Sequence, residues 1–278
     1  MSDRLAVLPQ YLMPKLLLTR LAGHYASKPM GGVTTATIRR FVARYGVNMA
    51  EAAQPDIARY ATFNEFFTRA LQPGARPLAD APLICPVDGA ISQIGRVQGD
   101  QVYQAKGQTF TTTALVGGDA ELAAQFQDGL FANLYLSPKD YHRIHMPADG
   151  RLVRMVHVPG ALFSVNPVTA RGVPGLFARN ERVVCVFEND TLGTWVLVLV
   201  GATIVGSMAT VWHGQIKRGG DVHAWTYAPG AVELAQGDEM GRFLLGSTVV
   251  MLFKPSALQF NPSWQPAGAI RMGEWMAA

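Results

Sequence analysis

From Thr191 to Gln215 the chain carries no lysine, arginine, aspartate or glutamate. So long an uncharged run, built around Trp195-Val-Leu-Val-Leu-Val-Gly201-Ala-Thr-Ile-Val-Gly206, must either cross a bilayer as a helix or lie as strands inside a core. Its β-branched residues, its two internal glycines and the later Thr210 and His213 favour two buried strands. Burying two such strands takes a large core, and the composition provides for one. Of 278 residues 49% are hydrophobic and only 16% charged, which argues against disorder and fits one large domain or a main domain with an appendage.

The rest of the chain divides near residue 72. Before it the pattern is helical. Leu16, Leu17, Leu18, Leu21 and Ala22 form one apolar stripe, and Ile38, Phe41, Val42 and Tyr45 recur at helical spacing with Arg39, Arg40 and Arg44 between them. Thr62-Phe63-Asn64-Glu65 reads as a capping box, with Thr62 at the helix start and Glu65 reaching back to it. Phe63, Phe66, Phe67 and Ala70 would be the buried face, and Pro73-Gly74 the stop. After about residue 80, strands are expected at 89–97, 101–105, 131–136, 151–158, 182–187, 194–200 and 247–253, with a short helix within 118–126. The expected fold is therefore α+β: a helical N-terminal portion, residues 1–72, on a mainly antiparallel β core, residues 73–278.

Charge points to partners only weakly. The net charge is +4, compatible with anionic lipid or nucleic acid and specific to neither. Basic residues are not interleaved with aromatics along the β segments, so no nucleic-acid partner is expected. Residues 11–50 contain no acidic residue but include Lys15, Arg20, Arg39, Arg40 and Arg44. Apolar helices with that bias suit an anionic membrane surface as well as ordinary packing. Cys85 and Cys185 supply neither a disulfide framework nor zinc spacing, which reads as a reducing compartment. No secretory signal is expected, because Pro9, Pro14, Lys15 and Arg20 interrupt the N-terminus.

Four places stand out. In Gly160-Ala-Leu-Phe163-Ser164-Val165-Asn166-Pro167, with Gly201 to Gly206 beyond it, the glycines mark a close approach by a ligand or, equally, a packing bulge. In Leu245-Gly246-Ser247-Thr248, a serine hydroxyl follows a glycine carbonyl that it could attack. Pro86-Val87-Asp88-Gly89 sets a carboxylate at the mouth of a strand; an Asp-Gly pair is more often a plain turn. Ser137-Pro-Lys-Asp-Tyr-His142-Arg-Ile-His145-Met-Pro147 brings two of the six histidines within three residues. A helical turn would point both to a similar side. With no third ligand nearby, proton transfer suits the pair better than a metal. Asp, His and Ser together also fit a serine hydrolase, but Ser247 lacks a Gly-x-Ser-x-Gly elbow. A non-catalytic lipid-binding module would leave the histidine pair unexplained.

Taken together these segments resemble bacterial phosphatidylserine decarboxylases, pyruvoyl-dependent lipid enzymes. The likeness runs through Phe63-Asn-Glu-Phe-Phe-Thr-Arg69, Pro86 to Gly89, Tyr135 to Pro147, Leu162-Phe-Ser-Val-Asn166, Leu176 to Arg182, Gly201 to Ser207 and Leu245 to Thr248. It implies that Asp88, His145 and Ser247 form a self-processing triad in which Asp88 holds the tautomer of His145. Ser247 would cut the chain after Gly246, giving a β chain of 1–246 and an α chain of 247–278, and become a covalent pyruvoyl group. That group would act as electron sink for the decarboxylation of phosphatidylserine, with His142 as the acid that protonates the substrate carbon. The resemblance also implies a homodimer of processed units, peripheral on the cytoplasmic face of the cell membrane.

Overall fold

The computed structural model describes residues 3–105, 107–203, 208–217, 219–244 and 246–278. Leu245 and the stretch 204–207, both part of motifs noted above, lie outside the described residues. The expected α+β arrangement is present, with short N-terminal helices and antiparallel sheets.

The Ser247–Phe253 strand lies at the centre of a nine-stranded sheet and is buried along its whole length. Side chains alternate across a strand. Val249, Met251 and Phe253 therefore enter one core with Leu197, Leu199 and Trp195. Val250 and Leu252 enter the other with Val196, Val198 and Val200. Both faces are covered, which explains why these strands read as continuous apolar runs rather than as alternation. The Ser247–Phe253 strand pairs on one side with Gly193–Val200 and on the other with Leu130–Leu136. The sheet continues outward through Arg182–Asn189 and Gly150–Val158 on one flank, and Gly89–Arg96 and Ala269–Ile270 on the other. A smaller four-stranded sheet holds Gly214–Gln215, Met208–Thr210, Glu239–Phe243 and Arg143–His145. The described residues of the uncharged run hold the buried Gly193–Val200 strand, Met208–Thr210 and the exposed Gly214–Gln215, three strands rather than the expected two, and no helix among the described residues is long and apolar enough to cross a membrane.

Helices α1 (Asp3–Leu12), α2 (Lys15–Ser27) and α3 (Gly32–Tyr45) make up most of the N-terminal portion. Pro14 lacks an N–H donor and separates the first two. Helix α1 is anchored to the β core: Val7 is buried in it, Arg171 pairs with Asp3 at 2.8 Å, and Gln10 donates to Thr169 at 3.0 Å. Helix α4 (Phe63–Phe67) is shorter than expected. Thr62 caps it as expected, but Glu65 reaches past Thr62 to accept from the Ala61 N–H at 2.8 Å. The helix stops at Phe67 rather than at Pro73-Gly74, because residues 70–72 are drawn into backbone pairing with residues 51–53. This early stop leaves Ala70 outside the helix and turns Arg69 towards the β core. The expected helix within 118–126 is Ala120–Ala124, capped by Asp119.

Candidate active site

Two chain crossings build the site. The Leu130–Leu136 strand leaves the large sheet and re-enters the small one as Arg143–His145. Glu239–Phe243 leaves the small sheet and re-enters the large one as Ser247–Phe253. Since Ser247 is in register with Leu136, and the Phe243 N–H donates to the His142 carbonyl at 3.0 Å, the two connections run side by side. Gly246 therefore lies against the histidine segment. A Cβ placed on Gly246 would come within 3.8 Å of His142 Nε2.

The histidines are not on a helical turn. Arg143–His145 is a strand, and in extended chain residues three apart face opposite sides. His142 is fully buried, packs against Phe67 with ring centroids 4.1 Å apart and planes tilted by 44°, and donates from Nδ1 to the Asp140 carbonyl at 2.8 Å. Asp140 is itself held in a tight turn by the Ser137 N–H (2.7 Å) and hydroxyl (2.8 Å). Since a carbonyl can only accept, Nδ1 carries the proton and Nε2 presents a lone pair. Among the described residues that Nε2 has no hydrogen-bond partner, and neither does the buried Ser247 Oγ. One such atom is on Ser247 itself and the other lies beside Gly246, so both are close to the Gly246–Ser247 bond; unpaired buried polar atoms at one place mark a candidate reactive site.

His145 has different surroundings. Its Nδ1 donates to the Gly237 carbonyl at 2.8 Å, and its Nε2 faces the Tyr141 hydroxyl at 3.0 Å. Asp88 does not set this tautomer, contrary to the sequence-based expectation. Its carboxylate is taken by the Arg76 guanidinium, at 2.9 and 3.1 Å from Nε and 2.5 Å from Nη2, and by the Met272 N–H at 2.9 Å. Arg76 also binds Glu51 at 2.6 Å. Asp88 remains one of the charges that favour protonation of His145, but burial outweighs them and lowers its pKa. Burial likewise pushes the pKa of His142 down to about 3, with Arg69 adding a smaller effect in the same direction.

The sequence reading missed Arg76, Tyr141 and Phe67 as parts of the site. Phe67 had a visible signal, a buried phenylalanine, but nothing in the sequence said that a histidine would lie on it. A cleft of about 840 Å³ runs past the site, lined among others by Arg69, Arg76, Asp88, Tyr135, Lys139 and Tyr141. Among the described residues no group of three His, Cys, Asp or Glu could hold a metal.

The histidine pH response has a defined sign. In the unfolded chain His142 takes up a proton as pH falls through about 6.5, whereas in the fold it stays neutral to about 3. The unfolded state binds more protons in that window, so stability falls with acidification from about pH 6.5 towards 3. Urea melts at pH 7.5 and 5.0 should show this loss in the uncut Ser247→Ala chain, and adding His142→Gln should reduce it.

The protein-family model for phosphatidylserine decarboxylase matches residues 63–278, and a second model of that name's abbreviated form, PSD, matches residues 5–46. The chain belongs to the phosphatidylserine decarboxylase family. It is 71% identical over its whole length to the phosphatidylserine decarboxylase proenzyme of Acidovorax ebreus, covering 98% of that protein. It is 70% identical to the proenzyme of Variovorax paradoxus, again over the whole chain and 98% of the relative.

Proposed function

We propose that Ser247 is both the nucleophile that matures this protein and the source of its catalytic group. The chain is a decarboxylase of phosphatidylserine, a carboxy-lyase, made as a proenzyme that cuts itself. The observation that carries the role of Ser247 is the pair of buried atoms without a partner among the described residues, Ser247 Oγ and His142 Nε2, the latter beside Gly246.

Maturation begins when Ser247 Oγ gives up its proton and attacks the Gly246 carbonyl, moving the acyl group from nitrogen to oxygen. Gly246 has no side chain to hinder the approach. Loss of the Ser247 α-proton then expels the Gly246 carboxylate, and the dehydroalanine left behind tautomerises and hydrolyses to a pyruvoyl group with release of ammonia. His145 is the base in this reading, with Asp88 acting through its charge rather than by contact. A second reading rests on one observation: His142 Nε2 is free beside Gly246, while His145 Nε2 is engaged by Tyr141. In that reading His142 serves maturation too.

The site's residues fit a pyruvoyl group at position 247, where it would supply an electron sink for the carbanion left by carbon dioxide. His142 delivers the proton to that carbon. In the uncut chain His142 and Ser247 are fully buried, so this role requires that release of the Gly246 end open them to the cleft. The 247–278 chain stays in place after the cut. Its first strand is hydrogen-bonded on both edges, and its tail pairs Trp275–Ala277 with Leu83–Ile84.

Residues 1–72 serve as the membrane-associating portion, at the cytoplasmic face of the cell membrane. Leu12 is 89% exposed, and Leu5, Leu8, Leu16, Leu17 and Leu21 are each more than half exposed on the first two helices. Six leucines facing water on two adjoining helices, with Lys15 and Arg20 among them, suit insertion between anionic headgroups. The double variant Leu12→Asp/Leu16→Asp should lower co-sedimentation with anionic liposomes about tenfold or more, given about 1.5–3 kcal/mol per buried leucine, while leaving the melting temperature unchanged. Point changes are the sharper test, because deleting residues 1–30 would also strip Val7 and Gln10 from the core. We take the working unit to be a homodimer of processed units, as the resemblance implies; sedimentation velocity checks it.

A further inference from the structure

Arg69 is 5% exposed, yet among the described residues it makes no ion pair. Its one hydrogen bond runs from Nη2 to the Lys139 carbonyl at 3.2 Å, and its buried Nε has no partner. The nearby carboxylates are already engaged: Asp88 by Arg76 and the Met272 N–H, Asp140 by Ser137. What Arg69 does have is the Phe66 ring, 5.5 Å away, and a place in the wall of the cleft. Burying a guanidinium without a counter-ion is costly. Arg76, a few residues on, shows the ordinary solution in the same cleft, with two carboxylates on one guanidinium.

We propose that Arg69 binds the phosphodiester of the phospholipid substrate. This rests on the reading above in which the cleft serves Ser247 and His142. Arg69 donates to the Lys139 carbonyl, one residue before the Asp140 carbonyl that holds the His142 ring, so it lies next to the catalytic histidine's own connection. In phosphatidylserine the phosphate stands a few bonds from the carbon that loses carbon dioxide, so a cation here is within the headgroup's reach. The substrate carboxylate is the other anion available, but pairing it with arginine would work against the reaction. That ion pair is strongest in the ground state and lost as carbon dioxide leaves, so it would raise the barrier. The phosphate keeps its charge throughout, and arginine's planar fork matches two of its oxygens.

The test uses short-chain lipids and the full chain. Arg69→Gln should still be cut into two chains, with KM for dihexanoylphosphatidylserine raised at least tenfold and kcat changed less than threefold; Arg69→Lys should recover part of the KM. A binding arm independent of maturation uses Ser247→Ala, which cannot be cut, with and without Arg69→Gln. In calorimetry the first should bind dihexanoylphosphatidylethanolamine at least tenfold more tightly than the double variant does, while dihexanoylglycerol, which has no phosphate, should not tell them apart. Equal affinity of the two chains for the phosphodiester lipid overturns the proposal, even if Arg69→Gln impairs cutting. Inorganic phosphate binding as tightly as the lipid would overturn the lipid assignment in favour of free phosphate. A wild-type chain that decarboxylates nothing while that lipid binding still depends on Arg69 would instead count against the reading of the catalytic centre.

Discussion

Ser247→Ala is expected to stay a single chain on a denaturing gel and to form no phosphatidylethanolamine, whereas the wild type should run as 1–246 and 247–278. The effect is all or nothing because one atom is removed, Ser247 Oγ, and with it both the nucleophile and the precursor of the electron sink. The substitution should cost the fold little. Ser247 Oγ is buried without a hydrogen-bond partner, so alanine removes a polar atom that contributes nothing to stability and leaves no partner stranded. The strand it opens keeps its register on both edges. A cooperative melt at or above the melting temperature of the processed wild type, together with the single band, would tie the loss to chemistry. Two fragments from this variant would overturn the assignment of the cut.

The second large effect separates the two histidines. His142→Ala should be cut normally and then decarboxylate about 10²–10⁴-fold more slowly, the usual worth of a positioned proton donor. His145→Ala should remain uncut. Gels and a carbon dioxide release assay read both steps in each variant. The geometry makes the comparison decisive, because the two rings have different neighbours: Phe67, Asp140 and Gly246 for one, Tyr141 and Gly237 for the other. If His142→Ala is uncut and His145→Ala is cut, His142 is the base of maturation, and the free Nε2 beside Gly246 is the reason. If both variants are cut normally, neither histidine is needed for maturation.

Several elements were legible because local rules are strong. The strands at 101–105 and 247–253 have the expected limits, and those at 89–96, 130–136, 150–158, 182–189 and 193–200 differ by a residue or two. β-branched runs bounded by glycine and aspartate leave little choice. Helix α4 was overestimated because its apolar spacing continues to Ala70, whereas pairing with residues 51–53 ends it at Phe67. The helical turn that would have aligned the two histidines does not form, and spacing by three puts residues on one side only when the backbone is helical. Here the Glu239–Phe243 strand captures the histidine segment as a neighbour.

The sequence alone determined which groups are available: a Gly-Ser bond ahead of an apolar strand, two histidines in one segment, a carboxylate at a strand mouth, and a family likeness running through all of them. It also determined that the chain needs a core with two covered faces, since no other place suits so many uncharged β-branched residues. Only the tertiary structure decided who meets whom. Register between Ser247–Phe253 and Leu130–Leu136 brings Gly246 to His142, and the early end of α4 puts Phe67 under that ring. It also gave Asp88 to Arg76, which spacing could not reveal, because the two meet through the packing of separate loops. Arg69 was left buried without a carboxylate for the same reason: charge balance in a cleft depends on which side chains the fold gathers there, and that is not a property of any segment.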